Sequence, residues 1–202
     1  MSSVRYVLAH YEATSTPLCI LTLDFKQAFD RVSHHYLFHI LRGYGISPWF
    51  VERIQALYDQ ATSAVQINGS PAGCIQIQSG VRQGCSLSVL LYALCLHPFV
   101  RALEDVLPSI RIGRQGPRGP VIAYADDVTV FVTDPKESSA IQQAIRTYEQ
   151  ATGACLNPRK SKPLAVGTWT ESPTLLGIDL HERVNILGVE FGRTVALSIR
   201  DS

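Results

Sequence analysis

The chain has 202 residues, of which 46% are hydrophobic and only 17% charged, which argues against disorder and predicts one domain with a sizeable core. Its formal charge of +1 lacks the basic excess of a free-standing nucleic-acid-binding protein. The five cysteines form no C-x-x-C pair, so neither a zinc ribbon nor a disulfide framework is supported.

The N-terminal residues include Arg5, His10 and Glu12 before any apolar stretch, so no signal peptide is expected. No uninterrupted apolar run reaches the roughly 18 residues of a membrane span, so no membrane partner is expected. We therefore expect an intracellular protein with reduced thiols, in the nucleus or the cytoplasm.

In the first half of the chain, apolar residues recur with the periods of helices and of one buried strand. The predicted helices cover residues 4–13, 34–42, 48–61 and 87–107, and the predicted strand covers residues 18–23. Alternating residues at 65–69 and 75–78 predict a hairpin that turns near Asn68. Pro98 should bend or interrupt the long fourth helix.

In the second half, two β-branched runs surround a pair of aspartates and predict a tight hairpin. The predicted strands cover residues 121–124, 128–132, 163–166 and 185–191, and a helix is predicted over residues 136–152. No internal repeat or linker interrupts the sequence, so residues 1–202 are expected to form a single domain. Strands and helices alternate without a regular βαβ rhythm, which favours the α+β class.

Three aspartates stand at the ends of these predicted strands. Asp126 and Asp127 occupy the tip of the hairpin, where their mutual repulsion is costly unless a cation is near. An exposed turn would explain that pair alone, but Asp24 also ends an apolar strand. If the two strands are neighbours, the carboxylates converge into an oxygen site suited to Mg²⁺. Two such ions about 3.5–4 Å apart are a recurring device for phosphoryl transfer.

Five segments resemble, in order, the motifs of reverse transcriptases of the non-LTR retrotransposon (LINE) type. Motifs A to E are matched by LDFKQAFD at 23–30, GVRQGCSLS at 80–88, YADD at 124–127, GACLNPRKS at 153–161 and LGVEF at 187–191. The resemblance implies a polymerase palm, an α+β fold with an antiparallel sheet, helices packed on one face and metal carboxylates at the sheet edge. It also implies an RNA-directed DNA polymerase that extends a DNA primer on an RNA template with dNTPs.

The resemblance also assigns the metal site. Asp24 and Asp126 would be the main ligands of two Mg²⁺ ions, for which Mn²⁺ is a possible substitute. Asp127 would be the companion carboxylate, acting more on the field of the ions than through direct bonds. The carbonyl of Phe25 would add a further ligand.

The remaining implied roles concern the nucleotide. Phe29 would lie under the incoming sugar and clash with a 2′-hydroxyl, although core packing is the ordinary explanation of such a ring. Gln83 and Gly84 would line the nucleotide pocket, together with Phe25. Lys160 would protonate or neutralise the leaving pyrophosphate, and its alternative is a solvated surface charge.

Two departures leave other functions open. Ser86 and Val89 stand where the family has prolines, which loosens a pre-set backbone. The chain is also expected to lack most of the fingers and the thumb, whose segments activity could require. A non-catalytic truncated relic or a nucleic-acid-binding remnant is therefore the main alternative. An RNA-dependent RNA polymerase or a nucleotide cyclase is another, against which Ala125 and Phe29 argue.

Overall fold

The computed structural model describes residues 2–59, 61–81, 85–111, 119–169 and 173–192. The helices are α1 (Ser2–Ala13), α2 (Ala28–Arg31), α3 (His34–Gly43), α4 (Pro48–Tyr58), α5 (Ser86–Val106) and α6 (Ser138–Thr152), with a 3₁₀ turn at Pro135–Glu137. The strands are β1 (Leu18–Leu23), β2 (Thr62–Ile67), β3 (Ser70–Gln76), β4 (Val121–Tyr124), β5 (Asp127–Val132), β6 (Lys162–Val166), β7 (Thr174–Leu175), β8 (Ile178–Asp179), β9 (Arg183–Ile186) and β10 (Val189–Gly192).

The centre of the fold is an antiparallel sheet with the strand order β4-β5-β1-β6. Strand β1 lies between β5 and β6, and its last residue, Leu23, pairs with Val128 of β5. Five of the six residues of β1 are buried. A strand in the middle of a covered sheet has to be apolar on both faces, which explains the continuous apolar run in its sequence.

Each face of the sheet packs into its own apolar cluster. Cys19 and Leu21 of β1 contribute to the larger cluster, which also takes residues from α3, α4, α5 and α6. Leu18 and Ile20 point to the other face, where α1 and the β9–β10 hairpin cover them. Cys19 is fully buried, and this burial raises the pKa of its thiol to about 12.

Helix α5 runs through Pro98 without interruption, so the expected interruption is wrong, while a bend at Pro98 stays a prediction. The proline removes one helical hydrogen bond, but Cys95, Phe99 and Leu103 are almost completely buried in the core along this helix. Tertiary packing of this kind supplies most helical stability in proteins, so the helix continues.

The same helix corrects a second expectation. Judged only by length and composition, its segment Leu87–Val106 is long and apolar enough to cross a membrane, with a mean hydropathy of 1.4. Arg101, Glu104 and Asp105 interrupt its apolar sequence, so a count of consecutive apolar residues does not identify it. A single helix of this kind is weak evidence for a membrane span, since core helices have the same composition.

Four other parts of the fold differ from the prediction. Residues 185–191 form two strands, because Leu187 and Gly188 adopt left-handed backbone angles (φ 50° and 78°) and turn the chain between β9 and β10. Helix α4 ends at Tyr58, short of the predicted residue 61. Helix α2 and the β7–β8 pair were not predicted, since segments of two to four residues are too short to show a period.

The β2–β3 hairpin forms around Asn68-Gly69, as predicted, and lies almost entirely in solvent. Only Val65 is half-buried in its two strands, and Ile67 and Ile75 are each more than 60% exposed. This hairpin therefore contributes little to either apolar cluster.

Candidate active site

Two of the three aspartates emerge from the same end of the central sheet. Asp24 follows the last residue of β1, and Asp126 precedes the first residue of β5, the neighbouring strand. Both line one open cleft of about 540 Å³. Phe25, Phe29 and Lys160 line the same cleft, so five of the residues singled out from the sequence meet there.

The hairpin between β4 and β5 is closed by the pair Tyr124 and Asp127, which leaves a two-residue turn of Ala125 and Asp126. Ala125 has a φ of 51°, in the left-handed region that costs a residue with a Cβ atom roughly 1–2 kcal/mol. The tight turn brings Asp126 to the rim of the cleft at the cost of local backbone strain.

We expect Ala125→Gly to stabilise the fold by about 0.5–1 kcal/mol, because glycine adopts this conformation without the Cβ clash but loses more chain entropy on folding. Urea unfolding measures the change. Ala123→Gly, in the adjacent extended strand, is the control and should destabilise. Equal destabilisation by both variants would contradict the strained turn.

The carboxylates influence one another electrostatically. Burial, followed by the negative charges of Asp126 and Asp24, raises the pKa of Asp127 above its ordinary value. Repulsion of this kind is relieved by a cation. The site therefore attracts positive charge.

Within the described part of the chain, no three His, Cys, Asp or Glu side chains gather into a complete metal cage. This arrangement still suits Mg²⁺, which proteins commonly bind through one or two carboxylates while water and substrate phosphates supply the other ligands. The donor set of Asp24 and Asp126 fits a hard divalent cation on these grounds.

The segment after α6 lies alongside the residues that follow β1. The amide of Lys26 donates to the carbonyl of Cys155, and the amide of Asn157 donates to the carbonyl of Asp24, both at 2.8 Å. The amides of Lys160 and Ser161 then donate to the carbonyl of Asn157, which closes a turn. This turn places the exposed Lys160 at the rim of the cleft.

The two phenylalanines near Asp24 occupy different environments. The ring of Phe25 is buried and packs edge-on against Phe99 and Tyr148, which leaves only its backbone for binding a nucleotide or a metal. The half-buried ring of Phe29 lines the cleft and stacks on Tyr92 of α5 with a centroid distance of 4.4 Å.

The chain around Phe29 is attached to the loop before α5. The amide of Val81 donates to the carbonyl of Phe29, and the amide of Gly80 donates to the carbonyl of Val32, both at 2.8 Å. A Cβ atom on Gly80 would lie 2.8 Å from Cα and the carbonyl oxygen of Asp30, so only glycine fits. Gln83 and Gly84, predicted to line the nucleotide pocket, lie outside the described residues.

Sequence reasoning gave no role to two further residues of the cleft. Lys26 and Asn157 line it together with the predicted residues. Both lie inside segments that resemble family motifs, and this position in the sequence could have identified them as candidate site residues. Lys26 and Lys160 are the cationic residues among those that line the cleft, and Asp24, Asp30 and Asp126 are the anionic ones.

The family model described as "Reverse transcriptase (RNA-dependent DNA polymerase)" matches residues 2–191. The chain is 35% identical over 165 residues to the "Transposon TX1 uncharacterized 149 kDa protein" of Xenopus laevis, covering 82% of this chain and 13% of that protein. It is 26% identical over 149 residues to the "Retrovirus-related Pol polyprotein from type-1 retrotransposable element R2" of Popillia japonica, covering 74% of this chain and 24% of that protein. The chain thus spans less than a quarter of either relative.

Solved telomerase structures have a similar fold. Candida tropicalis telomerase in complex with a TWJ fragment of telomeric RNA superposes with a TM-score of 0.67 at 13% identity, covering 94% of this chain and 31% of that one. The corresponding structure from Candida albicans gives a TM-score of 0.58 at 16% identity, covering 96% and 33%. At this level of identity the likeness concerns the fold alone.

Proposed function

The chain belongs to the reverse transcriptase (RNA-dependent DNA polymerase) family, and we propose that it is the palm of an RNA-directed DNA polymerase from a non-LTR retrotransposon. Its α+β fold is that of a polymerase palm. The observation that carries the proposal is the cleft at the end of adjacent strands, where Asp24 and Asp126 meet Phe29 and Lys160.

The proposed reaction joins a DNA primer to a nucleotide chosen by an RNA template. The 3′-hydroxyl of the primer loses its proton to solvent and attacks the α-phosphate of a dNTP, a new phosphodiester bond forms, and the bond to pyrophosphate breaks. Asp24 and Asp126, with Asp127 and the carbonyl of Phe25, would hold two divalent cations, Mg²⁺ or its substitute Mn²⁺. When bound, these ions would make the primer hydroxyl more acidic and would neutralise charge on the leaving pyrophosphate.

Two lysines complete the charge pattern of the cleft. Lys160 is exposed at the rim, where its ammonium group would donate a proton to the leaving pyrophosphate or balance its charge. Lys26 lies in the same cleft, and we assign it to the triphosphate. Both assignments follow from the affinity of ammonium groups for phosphate oxygens.

The relatives support a nucleic-acid partner. The Popillia japonica relative is a Pol polyprotein of a retrotransposable element, and the Candida tropicalis telomerase was solved with an RNA fragment. By extension, we propose that this chain works inside the cell, in the nucleus or the cytoplasm, on RNA and a DNA primer.

Extension of a labelled DNA primer on an RNA template tests the function. We expect the purified chain to add dNTPs in a template-directed manner with Mg²⁺ and to stop when EDTA removes the metal. Binding of the primer–template without extension, when Mg²⁺ is saturating, would favour a non-catalytic nucleic-acid-binding remnant.

Phe29 provides a separate test of sugar selection. Phe29→Val replaces the ring that would meet a 2′-hydroxyl with a smaller side chain. We therefore expect the preference for dNTP over rNTP to fall about 10- to 100-fold. The ratio of kcat/KM for the two substrates measures this. Phe50→Val, on the exposed side of α4, is the control and should keep the preference. An unchanged ratio in Phe29→Val would assign Phe29 to packing alone.

A further inference from the structure

Ser161 is one of four buried polar residues among the described part of the chain. It is completely inaccessible to solvent, and its Oγ accepts a hydrogen bond of 3.0 Å from the backbone amide of Asp24. A buried hydroxyl without a partner is costly, so this contact explains how a polar side chain is accommodated here.

The contact lies where the β1–β6 ladder ends. The last pair of this ladder is Thr22 with Lys162, so Asp24 would stand opposite Lys160 if the pairing continued. The chain instead folds into the turn around Asn157, which takes its backbone out of the ladder. The side chain of Ser161 provides the acceptor that binds the amide of Asp24 at this point.

As a result, the turn binds both polar backbone groups of Asp24. Its amide donates to Ser161 Oγ at 3.0 Å, and its carbonyl accepts from the amide of Asn157 at 2.8 Å. These two bonds fix the backbone from which the Asp24 carboxylate projects toward the cleft. The same turn carries Lys160, so one turn positions both the backbone of Asp24 and the lysine at the rim of the cleft.

We propose that Ser161 is a positioning residue whose hydroxyl holds Asp24 in the orientation required to bind a divalent cation. This inference rests on the proposed function, because it assumes that Asp24 is a metal ligand. Residues behind a metal ligand commonly set its orientation, and their loss typically lowers metal affinity about 10- to 100-fold.

The test is the affinity of the purified chain for Mn²⁺, measured from the electron paramagnetic resonance signal of the free ion. We expect the native chain to bind Mn²⁺, Asp24→Asn to lose binding, and Ser161→Ala to bind about tenfold more weakly. Ser88→Ala is the matched control, because Ser88 is also a buried serine but its hydroxyl has no hydrogen-bond partner. It should leave the affinity unchanged.

A second pair of variants separates the hydroxyl from packing. Ser161→Thr and Ser161→Val introduce side chains of nearly equal size, of which only threonine keeps the acceptor. We expect the threonine variant to bind Mn²⁺ about tenfold more tightly than the valine variant.

Two outcomes would overturn the inference, and they differ in their consequence for the proposed function. Equal Mn²⁺ affinity in the threonine and valine variants, with binding abolished by Asp24→Asn, would refute the role of Ser161 and leave the metal site intact. Absence of binding by the folded native chain would refute both.

Discussion

Asp126→Asn should reduce Mg²⁺-dependent primer extension by about 10³-fold or more, a loss of several kcal/mol of transition-state stabilisation. The substitution keeps the shape of the side chain but removes a charge from the turn between β4 and β5. Asp126 and Asp24 line the same cleft and would both be ligands of the same cations. We therefore expect Asp24 alone to be insufficient to hold these cations. Single-turnover extension with saturating dNTP measures the chemical step.

The same variant has an effect that does not depend on activity. The negative charge of Asp126 contributes to the raised pKa of Asp127, after burial. Removing that charge favours the ionised form of Asp127, so its pKa should fall in Asp126→Asn, as followed by NMR titration. Asp179→Asn, exposed on β8, is the control for both measurements. Full extension by Asp126→Asn would contradict the assignment of the active site.

Gly80→Ala should destabilise the fold by about 2–5 kcal/mol, through backbone strain and overlap together. Gly80 has a φ of +91°, and an added Cβ atom would meet the backbone of Asp30 at 2.8 Å. Backbone atoms cannot rotate away, so the loop before α5 would have to move. The amide of Val81, on that loop, would then lose its geometry with the carbonyl of Phe29.

Gly177→Ala separates strain from overlap. Gly177 has a φ of +73° but no atom within 4 Å of an added Cβ, so its substitution should cost only roughly 1–2 kcal/mol. Urea unfolding of both variants gives the comparison, and primer extension should fall further in Gly80→Ala. Equal loss of stability in the two variants would mean that the contact with Asp30 is absent.

The sequence was sufficient for features that depend on local pattern. The continuous apolar run of β1 predicted a buried strand, and the paired β-branched runs predicted the hairpin that carries Asp126. The predicted convergence of Asp24 and Asp126 required β1 and β5 to be neighbouring strands, and the structure confirms that they are. The roles of the site residues remain proposals for the experiments above.

What the sequence did not predict depends on contacts between distant segments. Ser161 and Asp24 are 137 residues apart, and no periodicity relates them. The stacking of Phe29 on Tyr92 likewise joins motif A to the middle of α5. The continuity of α5 through Pro98 depends on packing energy, which local propensity omits.

Because the β2–β3 hairpin is exposed, we expect it to unfold locally while the central sheet remains folded. Its amide hydrogens should exchange with solvent through local unfolding, while those of β1 should exchange only when the whole chain unfolds. A surface turn of this kind also tolerates inserted sequence. Additional polypeptide can therefore be accommodated at Asn68-Gly69 without disturbing the sheet that carries Asp24 and Asp126.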